Sequence, residues 1–288
     1  MLIATAAAVA LALAGCSGGD VAGADKPKAS ANFPKGSTMA KLAEAGTMTV
    51  GTKYDQPLFG LKGLDNQPTG FDVEVAKIIA EDLGIAAEEI KFIETNTKVR
   101  DEAVMSGKAD MVVATYMITE DRQTRVTFAG PYYNAGTLTM ALADNDKITG
   151  VESIGDKSVK VCGATGSADL DAIKSHMADP GAQLVLFDVY SKCADALRTG
   201  QVDAIAADST ILLGLASGSK GKFKIVGESY LDQLFGIGIK KGDVEFCKFI
   251  NDTLTASVKD GRFAAAWKKT AGTVVAEVPA MPEFIPCK

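Results

Sequence analysis

A chain of 288 residues, 47% hydrophobic and 23% charged, has room for two domains and apolar side chains enough to fill their cores. Its formal net charge of -6, with no basic run, argues against a nucleic acid partner, because phosphate binding needs a clustered basic surface. The single histidine, His176, sits in a polar stretch and reads as a solvated surface residue.

Residues 1–15 are almost wholly apolar and too short to span a bilayer as a mature helix; the run ends Leu13-Ala14-Gly15-Cys16. This resembles a lipoprotein signal peptide, cut before a cysteine that is then diacylated, which makes Cys16 the expected lipidation site. A plain secretory signal is the alternative, and either one exports the chain. Residues 16–36, rich in Gly, Ala, Ser, Lys and Asp without periodicity, have the composition of a flexible tether.

Regular structure is expected from Met39, with a short helix to Ala45 and a β-rich run over Thr47 to Thr52. A helix led by Phe71 carries Val75, Ile78, Ile79 and Leu83 at three- and four-residue steps and stops at Gly84. A strand over Ile90 to Glu94, a helix over Lys98 to Ser106, a strand over Asp110 to Thr115 and a loop bearing Thr119 and Arg122 follow. Tyr133 to Leu142 is a long β-type run. After it the pattern restarts, with strands at Val159 to Gly163, Leu184 to Phe187, Asp203 to Ala207 and Lys222 to Val226. Helices near Ala168 to Met177, Lys192 to Thr199 and Thr210 to Ala216 separate them. Leu234 to Lys240 is a further strand, and Val244 to Lys269 is helical with an interruption at Gly261.

One segment occurs twice. Ala103 to Thr115 (AVMSGKADMVVAT) and Ala196 to Asp208 (ALRTGQVDAIAAD) each combine a helix end, a glycine suited to a left-handed C-cap, an aspartate three residues on, and an apolar strand. Open α/β sheets present ligand groups where their strands end. Two such lobes face to face put Thr115 and Asp208 across one cleft. The helical tail is expected to return to the first lobe, so the chain crosses twice, near 138–143 and 232–238, and two crossing strands make a hinge. Residues 37–140 with 236–288 form the first lobe and 141–235 the second.

Cys162, Cys193, Cys247 and Cys287 form an even set in an exported chain, with three connectivities open. Zinc is disfavoured because no C-x-x-C occurs and histidine is nearly absent. Cys162 with Cys193 and Cys247 with Cys287 is the expected pairing, since each pair falls within one part of the chain.

The segments GTKYDQPLFGLKG, PTGFDVEVAKIIAEDLG, GKADMVVATYMITEDRQTRVTFAGPYY, TGSADLDAI and GQVDAIAADSTIL resemble the polar amino acid-binding proteins of ABC importers, solute-binding protein family 3. Among these they are most similar to actinobacterial glutamate/aspartate-binding lipoproteins. The most specific block is T-x-x-R followed by F-x-x-P-Y-Y. The resemblance implies an α/β, two-lobe, periplasmic-binding-protein-like fold of type II with two hinge crossings. It also implies a monomer on the outer face of the cell membrane that closes on an acidic amino acid, L-glutamate or L-aspartate, and passes it to an ABC permease. By position, Arg122 matches the arginine that grips the ligand α-carboxylate, a task suited to a planar, bidentate guanidinium. Backbone groups around Ala114, Thr115 and Met117 assist it. Asp208 matches the carboxylate that takes the ammonium, and Thr165 and Gly166 match donors to the α-carboxylate at a helix start. Arg100 and Thr97 resemble the groups that hold a distal carboxylate, Lys53 can add positive charge, Phe59 or Tyr54 can cap the aliphatic part, and Tyr190 can offer a hydroxyl. No cofactor is implied.

Other readings of the same scaffold are a glutamine/asparagine binder, an amino acid sensor and a dehydratase. The last needs a general acid or base beside the substrate. No G-x-S-x-G and no available histidine supply one, so the expectation is a protein that is not an enzyme.

Overall fold

The computed structural model describes residues 32–288. The signal, the lipidation site Cys16 and the tether up to residue 31 lie outside these residues.

Helix α1 (Thr38–Ala45) starts at Ser37, whose side chain accepts from the Ala40 amide, and ends at Gly46 in a left-handed conformation. Strand β1 (Met48–Thr52) leads to a small three-stranded sheet of β2 (Asp55–Gln56), β3 (Gly60–Lys62) and β4 (Pro68–Thr69). Helix α2 (Phe71–Asp82) buries the three- and four-spaced apolar face of the sequence, and β5 (Ile90–Glu94) then pairs in parallel with β1. Helix α3 (Arg100–Met105), β6 (Met111–Met117) and α4 (Glu120–Arg125) complete the first βαβ series.

Strand β7 (Val126–Leu142) is longer than expected, beginning seven residues before Tyr133. Pro131 is tolerated inside it because the register with its partner shifts there: Ala129 faces Ile237 and Tyr133 faces Phe235. The second series is β8 (Val161–Ala164), α5 (Leu170–Ser175), α6 (Pro180–Gln183), β9 (Leu184–Phe187), α7 (Tyr190–Arg198), β10 (Ala204–Asp208), α8 (Ser209–Gly218) and β11 (Phe223–Val226). Strand β12 (Asp232–Lys240) and helices α9 (Val244–Asp260) and α10 (Arg262–Lys269) close the chain.

The strand order β5-β1-β6-β12-β7-β10-β8-β9, with β11 also on β7, makes one path through two half-sheets. Strand β7 joins them: it pairs with β12 up to Gly136 and with β10 from Thr137. The change of partner falls four residues before the lobe limit expected at 140. The other crossing brings Leu231 and Asp232 against Thr137 and Gly136.

The duplication has a physical reason. Asp110 accepts from the Thr49 amide at 2.7 Å, and Asp203 accepts from the Lys160 amide at 2.8 Å, so each aspartate braces its strand against a parallel neighbour. Gly107 and Gly200, at φ 72° and 73°, supply the left-handed turn before each strand. The core of the first lobe gathers Phe59, Phe71, Tyr132, Phe246, Phe263 and Trp267, which shows helices α9 and α10 packed on that lobe. Cys162 is bonded to Cys193 and Cys247 to Cys287, with Cα separations of 5.6 and 5.9 Å. The second bond and the Ile285 amide, which donates to the Gly130 carbonyl, hold the C-terminal segment on the first lobe. Among the described residues no helix is long and apolar enough to cross a membrane.

Candidate functional site

Thr115, near the end of β6, and Asp208, at the end of β10, face each other across a narrow cavity. Its walls come from both halves: Lys53, Thr97, Arg100, Thr115 and Met117 on one side, and Ser167, Ala168, Tyr190, Asp208 and Ile211 on the other, with Gln233 at the hinge. Two cations and one anion line it. All three are buried.

Arg100 opens α3. Its Nη1 donates to the carbonyls of Ala114 and Thr115 at 2.8 and 3.2 Å, and its guanidinium stands 4.4 Å from the Tyr116 ring centroid. Nε is buried without a partner, and Nη2 makes no hydrogen bond among the described residues. The anchored group therefore leaves free the Nε/Nη2 edge, the two parallel donors that a carboxylate fits. Burial lowers the pKa of Arg100 and that of Lys53, whose ammonium lies 5.6 Å from the Tyr190 ring centroid.

Arg122 follows the Thr119 N-cap of α4 and is not itself among the residues that line this cavity. It donates to the Met117 carbonyl at 2.8 Å and across the cleft to the Gly166 carbonyl at 3.1 Å. Burial, then the nearby charge of Arg100, pushes its pKa down to about 10. Tyr116 serves both arginines: the Arg122 guanidinium is 5.3 Å from its ring centroid, and its hydroxyl donates to Asp101. Among the described residues two of the five N–H donors of Arg122 are engaged, which leaves three.

Asp208 is both cap and open acceptor. Its Oδ1 accepts from the amides of Thr210 and Ile211 at 3.1 and 3.0 Å and from the Thr210 hydroxyl, while Oδ2 has no partner among the described residues. Opposite it, Thr115 holds a positive φ of 42°, fixed by its amide donating to Asp72 at 2.8 Å and its hydroxyl donating to Gln56 at 3.0 Å. Burial raises the Asp72 pKa to about 7, against the hydrogen bonds from Tyr132 and Thr115 that favour its anion. The Tyr190 hydroxyl bonds Ser167 at 3.3 Å.

Two expectations, the aromatic caps, are corrected. Phe59 does not reach the cavity: it lies in the first core with its ring against Phe71, Tyr133 and Trp267, after a turn in which Leu58 takes a positive φ of 72° and the Phe59 amide donates to the Gln56 carbonyl. Tyr54 faces outward, where its hydroxyl donates to the Phe92 carbonyl and it lines a separate outer groove of about 850 Å³. The Thr165 amide donates to the Phe187 carbonyl and the Gly166 carbonyl accepts from Arg122, while the Thr165 hydroxyl and the Gly166 amide have no partner among the described residues. Helix α5 starts only at Leu170, so Thr165 and Gly166 stand in the preceding loop, and Ser167 and Ala168 are the groups that line the cavity. The carbonyls of Ala114 and Met117 anchor Arg100 and Arg122. Ser167 and Gln233, which line the cavity, and Gln56 and Tyr116, which brace Thr115 and Arg100 behind its wall, were not legible in the sequence.

Two α/β units joined by two crossing strands, with a charged cavity between their strand ends, define a two-lobe binding fold of type II. The chain covers 100% of a solved L-cysteine solute receptor of Neisseria gonorrhoeae (86% of its own length, 29% identity, TM-score 0.77). It covers 98% of an ancestral arginine-binding protein bound to arginine (78% of its own length, 33% identity, TM-score 0.72). The chain belongs to the bacterial extracellular solute-binding proteins, family 3, which it matches over residues 48–273. Among curated relatives it is 37% identical over 237 residues to the glutamate-binding protein GluB of Corynebacterium efficiens (79% of this chain, 80% of that one). It is 34% identical over 236 residues to the ABC transporter glutamine-binding protein GlnH of Bacillus subtilis (82% of this chain, 85% of that one).

Proposed function

We propose that this protein captures an acidic amino acid, L-glutamate or L-aspartate, by closing its lobes on it, and delivers it to an ABC importer without chemistry on the ligand. The observation that carries this is the charge of the cavity: Lys53 and Arg100 against Asp208. With Arg122 nearby, the cations outnumber the single anion, which suits a ligand with two carboxylates and one ammonium, and a neutral amide leaves Arg100 unanswered.

In this assignment Arg122 takes the α-carboxylate with its three remaining donors, and Oδ2 of Asp208 takes the ammonium. The free Nε/Nη2 edge of Arg100 takes the distal carboxylate, with Thr97 beside it and Lys53 adding charge. Because the ligand touches both lobes only when they are closed, it binds that state better and shifts the population toward it. The similarity to GluB supports glutamate; the similarity to GlnH makes glutamine the comparison that matters. Export by the N-terminal signal and acylation at Cys16 hold the monomer at the outer face of the membrane.

Calorimetric titration with L-glutamate, L-aspartate, L-glutamine and L-asparagine tests the assignment. Both acids binding at least about tenfold more tightly than their amides, a difference of ~1.4 kcal/mol, supports it. A preference for glutamine overturns it.

A further inference from the structure

Three consecutive residues of the first lobe reach across the cleft without lining the cavity. Asp55 Oδ2 accepts from the backbone amides of Tyr190 and Ser191 at 3.1 and 3.5 Å. These are the first residues of α7, a nine-residue helix whose own N-cap residue, Val189, gives no side-chain hydrogen bond. The carboxylate that satisfies this helix start, and that its dipole favours, therefore comes from the opposite lobe. Gln56 donates from Nε2 to the Thr210 hydroxyl at 3.0 Å while its Oε1 accepts from Thr115, joining the two strand ends through Thr210 to Asp208. The Pro57 carbonyl seats on α8 over Gly214, where a Cβ would stand 2.4 Å from its oxygen. Only a residue without a side chain admits that approach.

We propose that Asp55, Gln56 and Pro57, received by the α7 start, Thr210 and Gly214, form a closure clasp that sets how long the closed state lasts. They are positioning residues: they act on the ligand only through closure. All three contacts exist only when the lobes meet, so they favour the closed over the open state and slow ligand release, while the encounter of ligand with the open cleft proceeds without them. The clasp also selects for size, because an amino acid too long for the closed cavity keeps Pro57 off Gly214 and forgoes the contacts.

The proposal rests on the binding function above, and the test separates the two. In the full chain, spin labels on Leu64→Cys and Leu186→Cys, exposed positions on opposite lobes, report closure, and stopped-flow mixing with L-glutamate reports the rates. Gly214→Ala places a methyl group against the Pro57 carbonyl while leaving a good helix former in α8. It should keep the glutamate-bound label distance near the open value and raise the release rate by about tenfold or more, as expected for losing contacts of this strength. The association rate and the ligand-free melting temperature should stay unchanged. Asp55→Ala should speed release in the same way, and a charge-conserving Asp55→Glu should restore part of the effect. Wild-type closure and release in both alanine variants overturns the clasp. If the parent chain binds none of glutamate, aspartate, glutamine and asparagine, the ligand assignment fails. The clasp is then judged on the ligand-free closed fraction, which both variants must lower; equal fractions overturn it.

Discussion

Replacing Asp208 with asparagine separates the two roles that its carboxylate combines. Oδ1 caps α8 through two backbone amides and the Thr210 hydroxyl, and the asparagine carbonyl can accept the same three bonds. Asparagine and aspartate are nearly equal as N-caps, and loss of the charge at the helix start costs about 0.3–1 kcal/mol. The ligand-free melting temperature should therefore fall by only a few degrees. The second oxygen fares differently. Where Oδ2 faces the cavity without a partner, Asp208→Asn presents an N–H donor to an ammonium, in a site where truncating one member of a buried charge pair typically costs ~2–5 kcal/mol. Affinity for L-glutamate should drop by roughly 30-fold to several thousandfold. Asp208→Ala should add about 1 kcal/mol of instability from the lost cap to a similar binding defect. Calorimetry with L-glutamate and thermal melting of both variants provide the comparison. Binding by Asp208→Asn within about threefold of the parent chain refutes the ammonium role and leaves Asp208 a helix cap alone.

Arg100→Ala should weaken glutamate and aspartate far more than glutamine and asparagine, since only the acids use the full charge-assisted fork; equal losses for all four in competition titration would make Arg100 purely structural. Removing the Cys247–Cys287 bond as a double serine variant opens a 40-residue separation, worth roughly 4 kcal/mol in the chain-entropy treatment. Melting under otherwise equal conditions should show the loss, and an unchanged melting temperature would deny the C-terminal segment a stabilising part. Asp72 gives a pH signature: its folded pKa is raised to about 7 by burial, so between the unfolded value near 4 and pH 7 the folded chain holds more protons. Stability from this group is thus present at low pH and lost as pH rises toward 7. Asp72→Asn should flatten that slope in melting curves taken from pH 5 to pH 8, and an unaltered slope would place its origin elsewhere.

The architecture was legible because its signals are local and repeated. Gly107 and Gly200 need left-handed φ, Asp110 and Asp203 each reach one strand sideways to a backbone amide, and both features recur at the same spacing. The start of β7 was not legible, because Pro131 argues against a strand by its missing donor, and only the register shift on the partner strand β12 accommodates it. Phe59 was misplaced for a related reason. An aromatic seven residues after the strand end at Thr52 fits a ligand cap or a core equally well in one dimension, and its direction is decided by Phe71 and Trp267, the latter more than 200 residues away in sequence.

The site shows the same limit in its electrostatics. The family resemblance singled out Arg100, Arg122 and Asp208, and their burial agrees with it, since a buried charge needs a partner or a ligand. Which of their hydrogen-bonding groups remain free depends on the backbone around them. Arg100 is held on one edge by the carbonyls of Ala114 and Thr115 and open on the other; Asp208 is held through one oxygen and open through the other. Each is thus fixed in place by backbone groups of a neighbouring element, Arg100 by the end of β6 and Asp208 by the start of α8, and each retains one unpaired face. That division between an anchored and a free half lets a charge wait buried for a ligand without drifting to another partner. It also explains why neutral substitutions that keep the anchor, such as Asp208→Asn, should separate binding from stability where alanine cannot.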